Sequence, residues 1–311
     1  RRSGFRGELP MKIRKKIVVG LAVVAVLIAT AMTFYARSQA HRLITNPVVM
    51  RKLPKKTPAD YRLPFWEVTL TNQSRQRLVA WYVPSSNHVV ILAQHGYKSC
   101  RDEMLPAAAA LHRHGYGVLL SSVRAHDRCD GEQISFGVRE VEDMELWLQY
   151  LMNQPDVDTH RIGALGNSMG GSLVIQLAAQ DPRVKAVVAD SAFSSLEDTV
   201  ATSVRHYTGL PAFPFAPLIR FWANVESGCD LSRINAKVWI QELGSRPVFL
   251  MQGGADTTVS RQSGELLYAA AQGPKELWFD PAAGHAKFST NMPAYELRVT
   301  AFFDRALHLK P

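Results

Sequence analysis

The sequence predicts an α/β architecture: a mostly parallel central sheet with helices on both faces. Short apolar runs without a polar face, at 89–93, 117–121 and 162–165, read as strands buried on both sides. Stretches of helical periodicity alternate with them, the pattern of a parallel sheet. The run H-R-I-G-A-L-G-N-S-M-G-G-S-L-V-I-Q-L-A-A-Q at 160–180 compresses this into one unit of strand, glycine-rich turn and helix. A chain of 311 residues with 47% hydrophobic content can bury one large core.

Residues 1–16 form a basic N-terminal segment, with Lys12, Arg14, Lys15 and Lys16 crowded before an apolar run and Met11 a candidate initiator. Residues 17–36 carry no charge over twenty positions, about the length that crosses a hydrocarbon core as a helix. The expectation is a transmembrane helix or signal anchor. Ser38-Gln39-Ala40 leaves the alternative of a cleaved signal peptide open. Lys and Arg are denser before the run than after it, although Arg37, Arg42 and Arg51 follow. That bias predicts a single-pass cell-membrane protein with its N-terminus cytoplasmic and its main domain extracytoplasmic. Residues 37–63, with Pro47, Pro54 and Pro58, read as a linker over the membrane surface.

Net charge is +9, but residues 1–62 alone hold fourteen Lys/Arg against two acids, which leaves the remainder near −3. The basicity flanks an apolar segment. It therefore indicates a membrane surface and lends nothing to nucleic-acid binding. No metal-ligand cluster, phosphate-cradling loop or dinucleotide fingerprint is visible, so no cofactor is expected.

Residues 64–311 read as the globular domain. It opens with a hairpin, strands 65–70 and 78–83 about a polar turn at 72–75. After the strand at 89–93 come a helix at 101–114, the strand at 117–121, and a helix implied by Val138, Val141, Met144, Leu148 and Leu151. Beyond the 160–180 unit follow strands at 184–189 and 248–251, a helix from about Ser260, a strand at 276–279 and a terminal helix. Residues 193–243 break the rhythm and are rich in Phe, Pro, Tyr and Trp. They read as a small helical lid, whose apolar residues either shape a pocket or a lipid-facing surface, or pack the lid onto the core.

The chemistry centres on G-x-S-x-G. Gly166 and Gly170 leave room for a strained turn, Gly166-Asn167-Ser168-Met169-Gly170, that lifts the Ser168 hydroxyl to a helix N-terminus, where the dipole favours developing negative charge. With H-G-Y at 95–97, R-A-H-D at 124–127, G-G-A-D at 253–256 and A-G-H at 283–285, the chain resembles the α/β-hydrolase superfamily. The likeness spans roughly residue 64 to the C-terminus. It is to the branch of prolyl-oligopeptidase and serine-aminopeptidase domains, particularly small bacterial hydrolases with an N-terminal membrane segment.

The resemblance implies a nucleophile, acid and base in that chain order, met by Ser168, Asp256 and His285. Asp190 is the rival acid, with a cap or turn role as its other reading. The oxyanion would be held by the backbone N–H groups of Tyr97 and Met169. His95 reads as a loop-holding residue. Arg124, His126 and Asp127 either reach substrate or make loop hydrogen bonds. The family often has glycine where Asp127 stands, which leaves the shape of that loop open. The fold would also bring Cys100 and Cys129 onto neighbouring loops, as a disulfide in an oxidising compartment or as two of three free thiols.

The expected function is a membrane-anchored serine hydrolase that cleaves small-molecule esters through an acyl-enzyme. A peptidase or amidase is the alternative, an acyltransferase is a third reading, and a silent hydrolase-fold binding protein is the reading from another class.

Overall fold

The structure, a computed structural model, describes residues 10–307. Its elements are α1 (Met11–Ile44), β1 (Trp66–Thr71), β2 (Arg77–Val83), β3 (Val90–Gln94), α2 (Leu105–Arg113), β4 (Gly117–Ser121), α3 (Glu140–Met152), β5 (Ile162–Asn167) and α4 (Met169–Gln180). Then come β6 (Val184–Asp190), α5 (Leu196–Thr208), α6 (Ala212–Ser227), α7 (Ala236–Trp239), β7 (Val248–Gly253), α8 (Gln262–Ala270), β8 (Lys275–Asp280) and α9 (Met292–Leu307). Residues 1–9 of the basic segment lie outside the described residues.

The strands form one eight-stranded sheet in the order β1-β2-β4-β3-β5-β6-β7-β8. β1 and β2 pair antiparallel as the expected hairpin, β2 meets β4 antiparallel, and every later pairing is parallel. The absence of a polar face explains the double cover. On β3, Val90 and Leu92 enter one core while Ile91 and Ala93 enter the other. The first core takes residues of α3 and α4, and the second those of α2 and α9.

Boundaries differ from the sequence reading where local chemistry intervenes. A 3-10 turn, Arg101–Met104, precedes α2, because Pro106 has no N–H to give a longer helix and suits a first turn. α3 begins at Glu140, two residues after Val138. The Glu140 carboxylate accepts from the N–H groups of Ser135 and Gly137 and from the Ser135 hydroxyl, which shapes the preceding loop.

The largest difference concerns residues 37–44, read as linker. They continue α1 without a break, because Ala36, Ala40 and Ile44, spaced by four, form a fully buried stripe against the domain. The small-x-small site at Ser38-Gln39-Ala40 therefore lies within a packed helix. The chain beyond it is also fastened: the Ile134 N–H donates to Ile44 O at the helix end, Asn46 N–H to Glu132 O, and Arg51 to the carbonyls of Asn46, Cys129 and Gly131.

Residues 193–243 fold as α5, α6, α7 and short 3-10 turns. Cys100, Cys129 and Cys229 are free, buried thiols, so the Cys100–Cys129 bridge is not formed.

Candidate active site

Parallel strands leave their C-terminal ends at one edge, and three loops at that edge bring the predicted residues together. Ser168 follows β5 with φ +55° and ψ −119°, a strained conformation that its surroundings enforce. A Cβ on Gly166 would lie 2.3 Å from Gly170 O, and one on Gly170 2.3 Å from Gln94 O. Only glycine fits at either position. The Ser168 N–H donates to Asp190 O at 2.7 Å, which ties the turn to β6.

His285, in the loop after β8, places Nε2 2.7 Å from Ser168 Oγ and Nδ1 2.8 Å from Asp256 Oδ2. A carboxylate can only accept, so Nδ1 carries the proton and Nε2 is left to accept from the serine hydroxyl. The Asp256 side chain is fully buried, and its Oδ1 accepts from the N–H groups of Thr258 and Val259, both at 2.9 Å. The loop after β7 thus aims one carboxylate oxygen at the imidazole.

Asp190 makes no hydrogen bond to the imidazole. Its carboxyl accepts from the Ser191 hydroxyl at 2.9 Å, and Ser191 Oγ accepts from Ala286 N–H at 3.0 Å, so the pair supports the histidine loop from below. Burial pushes the Asp190 carboxyl up to about 7, against the opposing Ser191 hydrogen bond.

Tyr97 and Met169 both line the cavity at Ser168. Met169 opens α4, where a backbone N–H has no partner within the helix. Asn167 Nδ2 donates to Glu103 Oε1 at 3.1 Å, and Glu103 Oε2 accepts from Gly96 N–H at 3.4 Å. One carboxylate therefore couples the serine turn to the 95–97 turn. Glu103 carries no motif, and sequence reasoning missed it. His95 is buried, its Nδ1 bonded to Gly96 O at 2.8 Å, and burial lowers its pKa.

The side chains of the 124–127 loop are held by hydrogen bonds and ion pairs within the structure. Arg124 is held by Asp143 through its N–H, Nε and Nη2, and His126 Nδ1 bonds Arg124 O. Burial, then the neighbouring His95, lowers the His126 pKa to about 3. Asp127 takes φ +52°, the region glycine enters freely, and its carboxylate pairs at 3.0 Å with Arg101, which lies 4.2 Å over the Trp81 ring. The aspartate replaces a permissive backbone with a buried ion pair.

A cavity of about 390 Å³ opens beside Ser168. Its walls are mainly apolar: Phe136, Val200, Val204, Ile219, Val259 and, from α1, Leu43. Phe136 stacks on Tyr97 at 5.4 Å.

The prolyl oligopeptidase family model matches residues 131–310, and the X-Pro dipeptidyl-peptidase (S15) model residues 46–213. The uncharacterised protein Rv2307c of Mycobacterium tuberculosis H37Rv is 27% identical over 278 residues, covering 88% of this chain and 90% of its own. YqkD of Bacillus subtilis is 27% identical over 195 residues, 61% of this chain and 63% of its own. Among solved structures, the Pyrococcus furiosus esterase Pf2001 superposes with TM-score 0.71 at 25% identity, covering 85% of this chain and 98% of its own. Acetyl xylan esterase 1 from a Thermoanaerobacterium species gives TM-score 0.60 at 18% identity, covering 88% and 93%, a likeness of fold.

Proposed function

The chain belongs to the α/β-hydrolase superfamily and is a hydrolase matched by the prolyl oligopeptidase and X-Pro dipeptidyl-peptidase family models, and from that premise we propose that it is a membrane-anchored serine esterase. The observation that carries the proposal is the unbroken hydrogen-bond chain from Ser168 Oγ through His285 to Asp256 at the mouth of an apolar cavity.

In this reading His285 Nε2 takes the Ser168 proton as Oγ bonds to the substrate carbonyl carbon, and the carbonyl π pair moves onto oxygen. Asp256 stabilises the imidazolium that forms. The backbone N–H groups of Tyr97 and Met169 receive the oxyanion, whose charge α4's N-terminus also favours. The tetrahedral species collapses, the bond to the leaving oxygen breaks, and the alcohol departs with the proton from Nε2. Water then adds to the acyl carbon while His285 takes its proton, and the second collapse returns that proton to Ser168 Oγ.

Ester cleavage is favoured over peptide cleavage by the walls of the cavity. An extended peptide needs partners for its N–H and C=O groups, whereas the side chains beside Ser168 are mainly aliphatic and aromatic. The peptidase reading draws on the two family models and predicts a different ranking of substrates. Comparing kcat/KM for simple acyl esters and for aminoacyl and prolyl amides decides between them. Esters leading by 10²-fold or more fit the proposal, and amides leading would replace it with a peptidase.

Anchoring is supported by α1, whose side chains across 17–31 are exposed and almost all apolar and whose N-terminal turns carry Lys12, Arg14, Lys15 and Lys16. The basic end stays cytoplasmic and the hydrolase domain lies outside.

A further inference from the structure

One wall of the cavity beside Ser168 comes from outside the hydrolase domain proper. Gln39 and Leu43, on the last turns of α1, line it with Val200 and Val204 of α5 and Ile219 of α6. The two α1 residues are four apart and share a face, next to the buried stripe of Ala36, Ala40 and Ile44. The edge of the serine site clamps this end of the helix. The Tyr97 hydroxyl donates to Leu43 O at 2.7 Å, and Lys98 Nζ donates to Arg42 O at 2.7 Å.

The same helix fixes the depth of the cavity relative to the apolar run. At a rise of 1.5 Å per residue, Gln39 and Leu43 lie about 5 and 10 Å beyond residue 36 along the axis. α6 runs alongside in the same direction. Tyr35 meets Phe215 edge-on at 5.7 Å, Arg37 stands 5.3 Å over Trp222, and Glu226 takes Arg37 at 2.8 Å and His41 at 3.1 Å.

The N-terminal end of α6 is therefore level with the end of the apolar run. Phe213 there is 81% exposed, and Phe34 on α1 is 77% exposed. Tyr207 and Thr208, which also line the cavity, close α5 just before its short joint to α6. The cavity thus extends from Ser168 toward the level at which a bilayer around α1 would end.

We propose that the acyl chain of the substrate enters this cavity from the bilayer, so that the enzyme cleaves acyl esters of membrane lipids and α1 forms a wall of the acyl site as well as the anchor. The proposal rests on the esterase reading above. A volume of about 390 Å³ falls within the roughly 300–1,000 Å³ usual for ligand pockets and suits an aliphatic chain.

Two measurements on the full chain in phosphatidylcholine vesicles test it. The first is the chain-length profile for p-nitrophenyl esters from acetate to decanoate. Wild-type kcat/KM should rise about fourfold per methylene until the cavity is filled, the equivalent of about 0.8 kcal/mol each. Leu43→Trp and Val200→Trp should each cut the decanoate-to-acetate ratio at least tenfold, and Leu43→Ala should shift the optimum to longer chains. A ratio is internal to whatever fraction folds. Profiles unchanged by all three variants, or a wild type that prefers acetate, would overturn the acyl site.

The second replaces part of the vesicle lipid with phosphatidylcholine bearing a diazirine at the acyl terminus and maps photoadducts on the wild type. Adducts at Leu43, Val200 or Ile219 support entry from the bilayer, and adducts confined to 11–35 contradict it. Absence of Ser168-dependent cleavage even of acetate would instead sink the esterase reading, while the adduct map still reports lipid access.

Discussion

Ser168, His285 and Asp256 act as a unit in this account, so their substitutions are not additive. Ser168→Ala and His285→Ala should each lower kcat on the order of 10⁴–10⁶-fold, and Asp256→Asn about 10⁴-fold by releasing the imidazole from its tautomer, all with unchanged circular dichroism. Gly170→Ala should fail differently. Its Cβ meets the backbone carbonyls of Gln94 and His95 at 2.3 and 2.5 Å, so stability drops by roughly 1–3 kcal/mol or more, seen as a lower urea midpoint. Asp190 carries a pH signature. Its folded pKa is raised from 3.8 to about 7, so between these values the folded chain holds a proton that the unfolded chain has released. Its contribution to stability therefore falls as pH rises through that window. Relative to wild type, Asp190→Asn should gain Tm steadily from pH 4 to pH 7; parallel Tm–pH curves would refute the assignment.

At the scale of elements, loops join to make one rigid frame. Arg101, Asp127 and Trp81 link the turn before α2, the loop after β4 and the hairpin through a side-chain ion pair buried to 1% and 0% exposure. Arg101→Met strands the Asp127 charge and should cost about 3–5 kcal/mol, whereas Arg101→Met with Asp127→Gly should recover much of it by chemical denaturation. This frame was only partly legible in the sequence. Ser168 and its glycines announced themselves locally, and Asp256 and His285 were named from the chain order that the superfamily resemblance implies, once the strands were placed. Glu103 and Ser191 gave no signal, because each works through a partner more than sixty residues away. The continuation of α1 to Ile44 was hidden by Arg37, His41 and Arg42. Their charges read as linker, while the packing signal lay in the spacing of Ala36, Ala40 and Ile44.

For the whole molecule, the proposed anchoring makes α1 the join between a bilayer and the domain. Its first part presents exposed apolar side chains, and its last turns are built into the hydrolase domain. The full chain should sediment with membranes and resist alkaline carbonate extraction, and protease added to spheroplasts should digest the domain. Recovery of a soluble chain shortened to the residue after Ala40 would contradict the anchor. The central claim, however, is that Ser168 is an activated nucleophile, and the most direct measurement is labelling of the purified full chain with a fluorophosphonate probe. The account predicts one covalent adduct on Ser168, lost in Ser168→Ala and strongly slowed in His285→Ala. A folded wild type that takes no label, or label that survives Ser168→Ala, would contradict it and move the binding-protein reading ahead.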